Sequence, residues 1–423
     1  MLVKVCLECY FKKKSLKFSV MNILFLTMSK MLSIEQRGIY TDLMRHFRKN
    51  GHSVYIVSPI ERRNGYKTFL SEDDGVHTLN VRTLNVQKTN VIEKGLGQLS
   101  IEYLFTRAIK KYCKGVKFDL ILYCTPPITF PNVIKYAKKG NPEAKTYLLL
   151  KDIFPQNAVD MRLLGKYGFK GILYNYFRNK EKKLYAISDH IGCMSPANVR
   201  YLLEHNAEIP EKKVVIAPNA FDVLPYEPLS EDDRKKILCK YGLPTDKPIF
   251  LYGGNLGIPQ GIPFLIECLK ANGNRNDCHF LVVGNGTLYN KLYGWFVENK
   301  PASVSVIERL PKEDYDRLAK ACQVGLIFLD YRFTIPNYPS RLLSYLENKM
   351  PIIACTDPNC DTGSIAEKNG YGLWCPSNSV EAFTSAVNKM ISSDLRQMGE
   401  NGYKFVLENY NIQNTYDAIM SQL

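Results

Sequence analysis

The chain has no apolar run approaching the ~20 residues that a bilayer-spanning helix requires, so no segment reads as a membrane span. Its six histidines show no H-x-x-x-H or clustered spacing, and His52 in KNGHSVYIV, between a helix end and a strand, reads as structural rather than catalytic. Twelve cysteines are scattered through apparent strands and helices without the dense spacing of a small secreted scaffold. They read as reduced thiols in a cytosolic protein. Cys6 and Cys9 form one C-x-x-C, but no second pair or neighbouring histidine completes a zinc site. G-x-S-x-G, Walker-type and zincin motifs are all missing.

Excess positive charge is missing from one half of the chain. Residues 1–225 hold 36 Lys+Arg against 19 Asp+Glu, net +17, whereas residues 226–423 hold 20 against 22, net −2. A one-sided basic field calls for an anionic partner: nucleic acid, an acidic membrane surface or a phosphorylated acceptor. The basic half shows no recognised nucleic-acid module and no aromatic-basic platform, so nucleic acid is not expected. Lys110, Lys111 and Lys114 on one helical stretch, and Arg178, Lys180, Lys182 and Lys183 on another, are candidates for a face that docks on anionic lipid. Residues 1–20 fail as a signal peptide because a lysine cluster interrupts their apolar stretch. They read either as an extension from an upstream start or as a short basic apolar segment touching lipid.

What is present is a β/α alternation. From Met21, short apolar runs (NILFLTMS, SVYIVSP, DLILYC, TYLLL, HIGCMS, KVVIAP) alternate with amphipathic stretches. After the charged, Pro-containing FDVLPYEPLSEDDRKK the pattern restarts with IFLYGG, HFLVVG, SVSVIE, VGLIFL and PIIAC. The runs lack strict alternation, as parallel strands covered on both faces do. With 423 residues and 45% hydrophobic content, this predicts an α/β chain of two doubly wound domains, 21–225 and 226–405. Ligands should bind beyond the carboxyl ends of the strands, in the cleft between domains.

Three stretches carry candidate chemistry. Gly253, Gly254, Asn255 and Gly257 follow a strand and precede a helix, so backbone there can approach a pyrophosphate. The full dinucleotide fingerprint is absent, and Gly284-Asn285-Gly286 is equally incomplete, which disfavours a nicotinamide enzyme. In PNYPSRLLSYLENKMPII, Pro339 opens a helical pattern with Leu342, Leu343 and Leu346, which places Ser340, Arg341 and Ser344 in its first turns. A helix N-terminus with an arginine fork suits a phosphate. Asp152, in KDIFPQNA after the strand TYLLL, stands where a carboxylate could orient or deprotonate an acceptor hydroxyl. Arg37 and Gly38 occupy the equivalent loop after the first strand. Asp314-Tyr315-Asp316 has a D-x-D form but lies at a helix start, where acidic residues complement the helix dipole, so no metal is expected there.

Taken in order, NILFLT, NGHSVYIV, DIFPQNA, CMSPAN, IAPNAFD, YGGNLG, VVGNG and PSRLLSYLENKMPII make the chain resemble the family 4 glycosyltransferases of the GT-B fold, in a branch acting in bacterial capsule and O-antigen synthesis. The resemblance implies two Rossmann-like domains facing a cleft, acceptor-binding (21–225) and donor-binding (226–405), with a final helix, residues 406–423, crossing back to the first. It implies retaining, metal-independent transfer of a hexosyl or N-acetylhexosaminyl unit without a cofactor, from a nucleotide diphosphate sugar, uridine-linked, to a lipid-diphosphate-linked saccharide. The enzyme would sit in the cytoplasm at the inner face of the cell membrane. Asp152 is then the catalytic candidate, with Arg37, Gly38 and Lys151 on the acceptor. Gly254, Asn255, Gly257, Gln260, Asn337, Ser340, Arg341, Ser344 and Glu347 fall on the donor. Two departures stand out. The family's phosphate-binding Arg and Lys fall on Asn255 and Gln260, and its paired glutamates on Pro336 and Ser344, leaving Glu347, about one helical turn on, as a substitute for the ribose carboxylate. The rival readings are a nucleotide-sugar epimerase on the same fold and a basic nucleic-acid-binding or scaffold protein.

Overall fold

The computed structural model describes residues 20–85 and 91–423; the N-terminal extension before Val20, with Cys6 and Cys9, lies outside the described residues. The first sheet comprises β1 (Asn22–Leu26), β2 (Ser53–Glu61), β3 (Phe69–Asp73), β4 (Val76–Thr83), β5 (Leu120–Cys124), β6 (Lys145–Leu150), β7 (His190–Cys193) and β8 (Val214–Ile216). Its order is β3-β4-β2-β1-β5-β6-β7-β8, parallel except for the β3/β4 hairpin. The second comprises β9 (Ile249–Gly253), β10 (His279–Val283), β11 (Val304–Ile307), β12 (Val324–Phe328), β13 (Ile352–Thr356) and β14 (Gly372–Pro376), in the order β11-β10-β9-β12-β13-β14. Both sheets reverse direction of growth once, between β1 and β5 and between β9 and β12, and at such switch points loops diverge to leave a crevice.

The two doubly wound sheets predicted from the apolar runs are present, and their central strands explain the runs. Every residue of β5, β9, β10, β12 and β13 is buried. Helices cover both faces, so alternation has no role and each large aliphatic side chain contributes about 1.5–3 kcal/mol. Two strand regions go beyond the apolar runs. The β3/β4 hairpin is polar on its outer strand and turns at Asp74 and Gly75, both at positive φ. The edge strand β14 is the short segment GLWCP.

Two chain segments cross between the domains side by side. The Phe221 amide donates to the Tyr410 carbonyl at 3.3 Å, and the Ile412 amide to the Phe221 carbonyl at 3.1 Å. Beyond this hinge the helix Ile412–Met420 leaves the second domain, and its Ile412, Tyr416, Ile419 and Met420 join the core formed by Ile23, Phe25 and Phe47. His52 has the structural role expected of it. Its Nδ1 accepts from the Met21 amide at 3.2 Å, which leaves the proton on Nε2 facing the Tyr416 hydroxyl at 3.0 Å.

Candidate functional site

On the second domain the site is built at the β9/β12 switch point. The helix Arg341–Glu347 starts two residues later than its Pro339 signal suggests, because the Leu342 amide closes a tighter turn onto the Pro339 carbonyl at 3.1 Å. Arg341 is therefore its first residue. Its guanidinium lies over the Tyr252 ring, 4.6 Å from the centroid, and packs on Gly254, where a Cβ would stand 3.3 Å from Nη2. Arg341 Nη1 is buried without a hydrogen-bond partner among the described residues. A guanidinium stays charged under all ordinary conditions, so a buried N–H without an acceptor marks a place for an anion.

Tyrosines hold this arrangement rigid. The Tyr345 hydroxyl accepts from the Gly253 amide at 3.0 Å and donates to the Leu251 carbonyl at 3.1 Å. The Tyr315 hydroxyl fills the space where a Gly253 Cβ would be, at 1.8 Å. The middle residue of the D-x-D triplet thus faces the site, while Asp314 and Asp316 pair with Lys240 and Lys312 at 3.2 and 2.7 Å. The Gly284 turn lies against the Gly254 loop, and a Cβ at Gly284 would stand 1.9 Å from the Gly254 carbonyl.

Several sequence expectations shift here. The Gly254 amide donates to the Val283 carbonyl at 2.9 Å, so at φ 131° this residue supplies space rather than a phosphate donor. Asn255 and Gln260, in place of the family's cations, bond each other through their side-chain amides at 2.9 Å, with Gly257 beneath them. Glu347 does not stand free as a ribose ligand. Arg37 grips its carboxylate in a two-pronged ion pair, and the Leu224 amide donates to it at 2.8 Å. Arg37 is correspondingly drawn away from an acceptor role and also donates to the Asp222 carbonyl at 2.7 Å. The Gly38 amide is capped by Asp42 at 2.9 Å. Ser340 accepts from Asn219 across the domains at 2.7 Å. Asn337 presents a buried Nδ2 without a partner among the described residues, and Ser344 faces outward enough to be half-buried.

On the first domain, Thr125 after β5 accepts from the Lys151 and Asp152 amides at 2.9 and 3.1 Å, which fixes the turn after β6. Both Asp152 oxygens accept from Asn157 Nδ2, at 2.8 and 2.9 Å. Burial pushes the Asp152 carboxyl up to about 6, against the pull of the Ile153 amide and Asn157. Lys151 Nζ donates to the Ala217 carbonyl at 2.9 Å, and burial brings its pKa down to about 7. It braces the segment entering the hinge rather than standing free for an acceptor.

The two half-sites are sewn together. Ile153 beside Asp152, and Met161, share an apolar cluster with Leu329, Phe333, Ile335 and Cys360, against which Ile258 beside Gly257 packs. Asp160 accepts from the Thr334 amide at 2.8 Å, and Asn198 donates to the Pro336 carbonyl at 2.6 Å. Two carboxylates not singled out in the sequence border this junction. Asp357, after β13, caps the Asn359 and Cys360 amides with one oxygen at 2.9 and 3.0 Å and keeps the other buried and without a partner among the described residues; burial raises its pKa to about 6. Asp361 takes the Ala197 amide at 2.9 Å with one oxygen, and its other is likewise unpartnered. The strand-end rule covers Asp357 as it covers Asp152, but its partners come from the next turn and only the fold shows them.

Residues 233–405 match the family model of glycosyl transferases group 1. Comparison with curated proteins finds no match. Among solved structures, sucrose-phosphate synthase from Thermosynechococcus elongatus is similar over 95% of this chain and 97% of its own, at 15% identity and a TM-score of 0.72. HepE from Anabaena, in complex with UDP and glucose, is similar over 95% and 98%, at 14% identity and 0.67. The lipopolysaccharide outer core galactosyltransferase WaaB is similar over 95% and 100%, at 13% identity and 0.60. The fold is therefore that of the GT-B glycosyltransferases, and the match to glycosyl transferases group 1 falls on the second domain.

Proposed function

We propose that the protein transfers a sugar, with retention of anomeric configuration, from a uridine diphosphate sugar to a lipid-diphosphate-linked saccharide in bacterial surface polysaccharide synthesis. The observation that carries the donor half is the buried, unpartnered Nη1 of Arg341 against the cradle at Gly254. It offers one fixed positive charge where the family's Arg and Lys pair is absent. In the transition state, charge develops on the leaving diphosphate, and a guanidinium already held in place stabilises it. Asp152, with a pKa of about 6, is mostly ionised near neutrality and accepts the hydrogen bond of the attacking hydroxyl. The transfer is taken to be metal-independent, since the D-x-D carboxylates pair with lysines on a helix. Uridine as the base is supported by the bound UDP of HepE, and a lipid-linked acceptor by the resemblance and by the net +17 of residues 1–225.

The test is incubation with a panel of nucleotide sugars, with and without a lipid-diphosphate-linked saccharide. The expected result is UDP release coupled to acceptor elongation. Epimerised donor without acceptor, or no binding of any nucleotide sugar, contradicts the proposal.

A further inference from the structure

Exposed large apolar side chains concentrate on one part of the first domain. Leu163, Tyr167, Ile172, Leu173 and Tyr176 stand at the start of, and along, the helix Gly168–Ile187, with Tyr167 89% and Ile172 67% exposed. On the helix Val91–Tyr112, Leu99 and Tyr103 are exposed as well. The ion pair of Lys180 with Glu102 at 3.0 Å ties the two helices together. Tyr176 lies one turn before Lys180, and Leu99 one turn before Glu102, so the apolar residues flank this tie.

The charge around them has one sign. Residues 162–183 carry seven Lys and Arg and a single carboxylate, Glu181, which is buried and bound by Arg178 and Tyr185. Of the basic set expected from the sequence, Arg178 pairs with Glu181, Lys180 with Glu102 and Lys182 with Glu208, while Lys110, Lys111 and Lys114 stand exposed at and just beyond the end of the helix Val91–Tyr112. Arg162, Lys166, Lys170 and Lys183 are also exposed, without a carboxylate partner among the described residues.

The geometry points to this patch as the surface that docks on an anionic bilayer, with Leu163, Ile172 and Leu173 entering the acyl boundary. The tyrosines lie at the headgroup level and the cations on lipid phosphates. Aliphatic groups ringed by tyrosine and unpaired lysine match an interface that is apolar in depth and negative at its rim. The position fits the chemistry, a link that rests on the lipid-linked acceptor proposed above. Phe177, on the same helix, contacts the Phe154 ring at 5.0 Å, and Phe154 is two residues beyond Asp152. Docking would thus present the acceptor end of the cleft to the membrane.

The experiment uses the full chain, sedimented with vesicles of phosphatidylethanolamine and phosphatidylglycerol and with phosphatidylcholine vesicles alone. Wild type should bind the anionic vesicles, and less so as salt rises. Ile172→Glu with Leu173→Glu should weaken binding roughly tenfold or more, the ratio expected when one aliphatic group is withdrawn from an apolar medium. Lys166→Glu with Lys170→Glu should weaken it and flatten its salt dependence. All four positions are exposed, so UDP binding should be unchanged and reports that the variants are folded. Vesicle binding retained by both variants overturns the proposal, as does a wild-type dimer that the apolar variant splits, since a second copy would then cover the patch. Vesicle binding without any UDP binding sinks the glycosyltransferase reading while leaving the docking surface standing.

Discussion

The two domains prepare their sides of the cleft differently. In the second, tyrosine hydroxyls, backbone contacts and tight glycine turns fix the shape around one arginine, whose charge the site leaves unanswered. In the first, Lys151 and Asp152 have hydrogen-bond partners already, and burial rather than an empty contact perturbs them, towards about 7 and about 6. Under the proposed function, the donor side is prepared by geometry, which suits a diphosphate that is the same in every donor, and the acceptor side by tuning the groups at the strand ends. Consistently, the family model covers 233–405 and stops short of the first domain.

Asp152→Asn probes the first domain's side of the cleft. It should leave UDP binding intact and lower transfer ~10²- to 10⁴-fold, the usual worth of a placed proton acceptor; wild-type turnover in a folded variant would remove Asp152 from the chemistry. In the wild type, transfer should fall as pH drops through about 6, because the protonated carboxyl can no longer take up the proton of the attacking hydroxyl; a pH–rate profile that stays flat for roughly one unit either side of that value speaks against it. Gly284→Ala tests the geometric side. Its Cβ would stand 1.9 Å from the Gly254 carbonyl, so the two loops must part, at a cost of about 1–3 kcal/mol in stability, with weaker UDP binding alongside. Thermal unfolding and calorimetry read both. The smallest effect belongs to the interdomain pair of Arg37 and Glu347. A double-mutant cycle with Arg37→Ala and Glu347→Gln should give a coupling of about 1 kcal/mol, with donor affinity little changed. A large loss of affinity on Glu347→Gln would return Glu347 to the ribose.

Much of this was legible in the sequence where a structural need leaves a residue-type mark. Continuous apolar runs mark doubly covered strands, and Gly253, Gly254 and Gly284 mark close approaches by the Tyr315 hydroxyl, the Arg341 guanidinium and the Gly254 carbonyl. The β3/β4 hairpin left little mark, because its outer strand Phe69–Asp73 has no fully buried residue. Arg341 could be read from its place at a helix start, whereas the roles of Arg37 and Glu347 could not. They are 310 residues apart and meet only once the domains close. Asp361 and Asn219 were hidden for the same reason, since their partners lie across the cleft at Ala197 and Ser340.

Calorimetric titration of UDP into wild type, Arg341→Ala and Asp152→Asn separates the roles of Arg341 and Asp152. Loss of a charge-assisted phosphate contact should weaken binding to Arg341→Ala by about 1.5–3 kcal/mol, while Asp152→Asn binds as wild type does. Equal affinity in wild type and a folded Arg341→Ala, or an equal loss in both variants, would contradict the account.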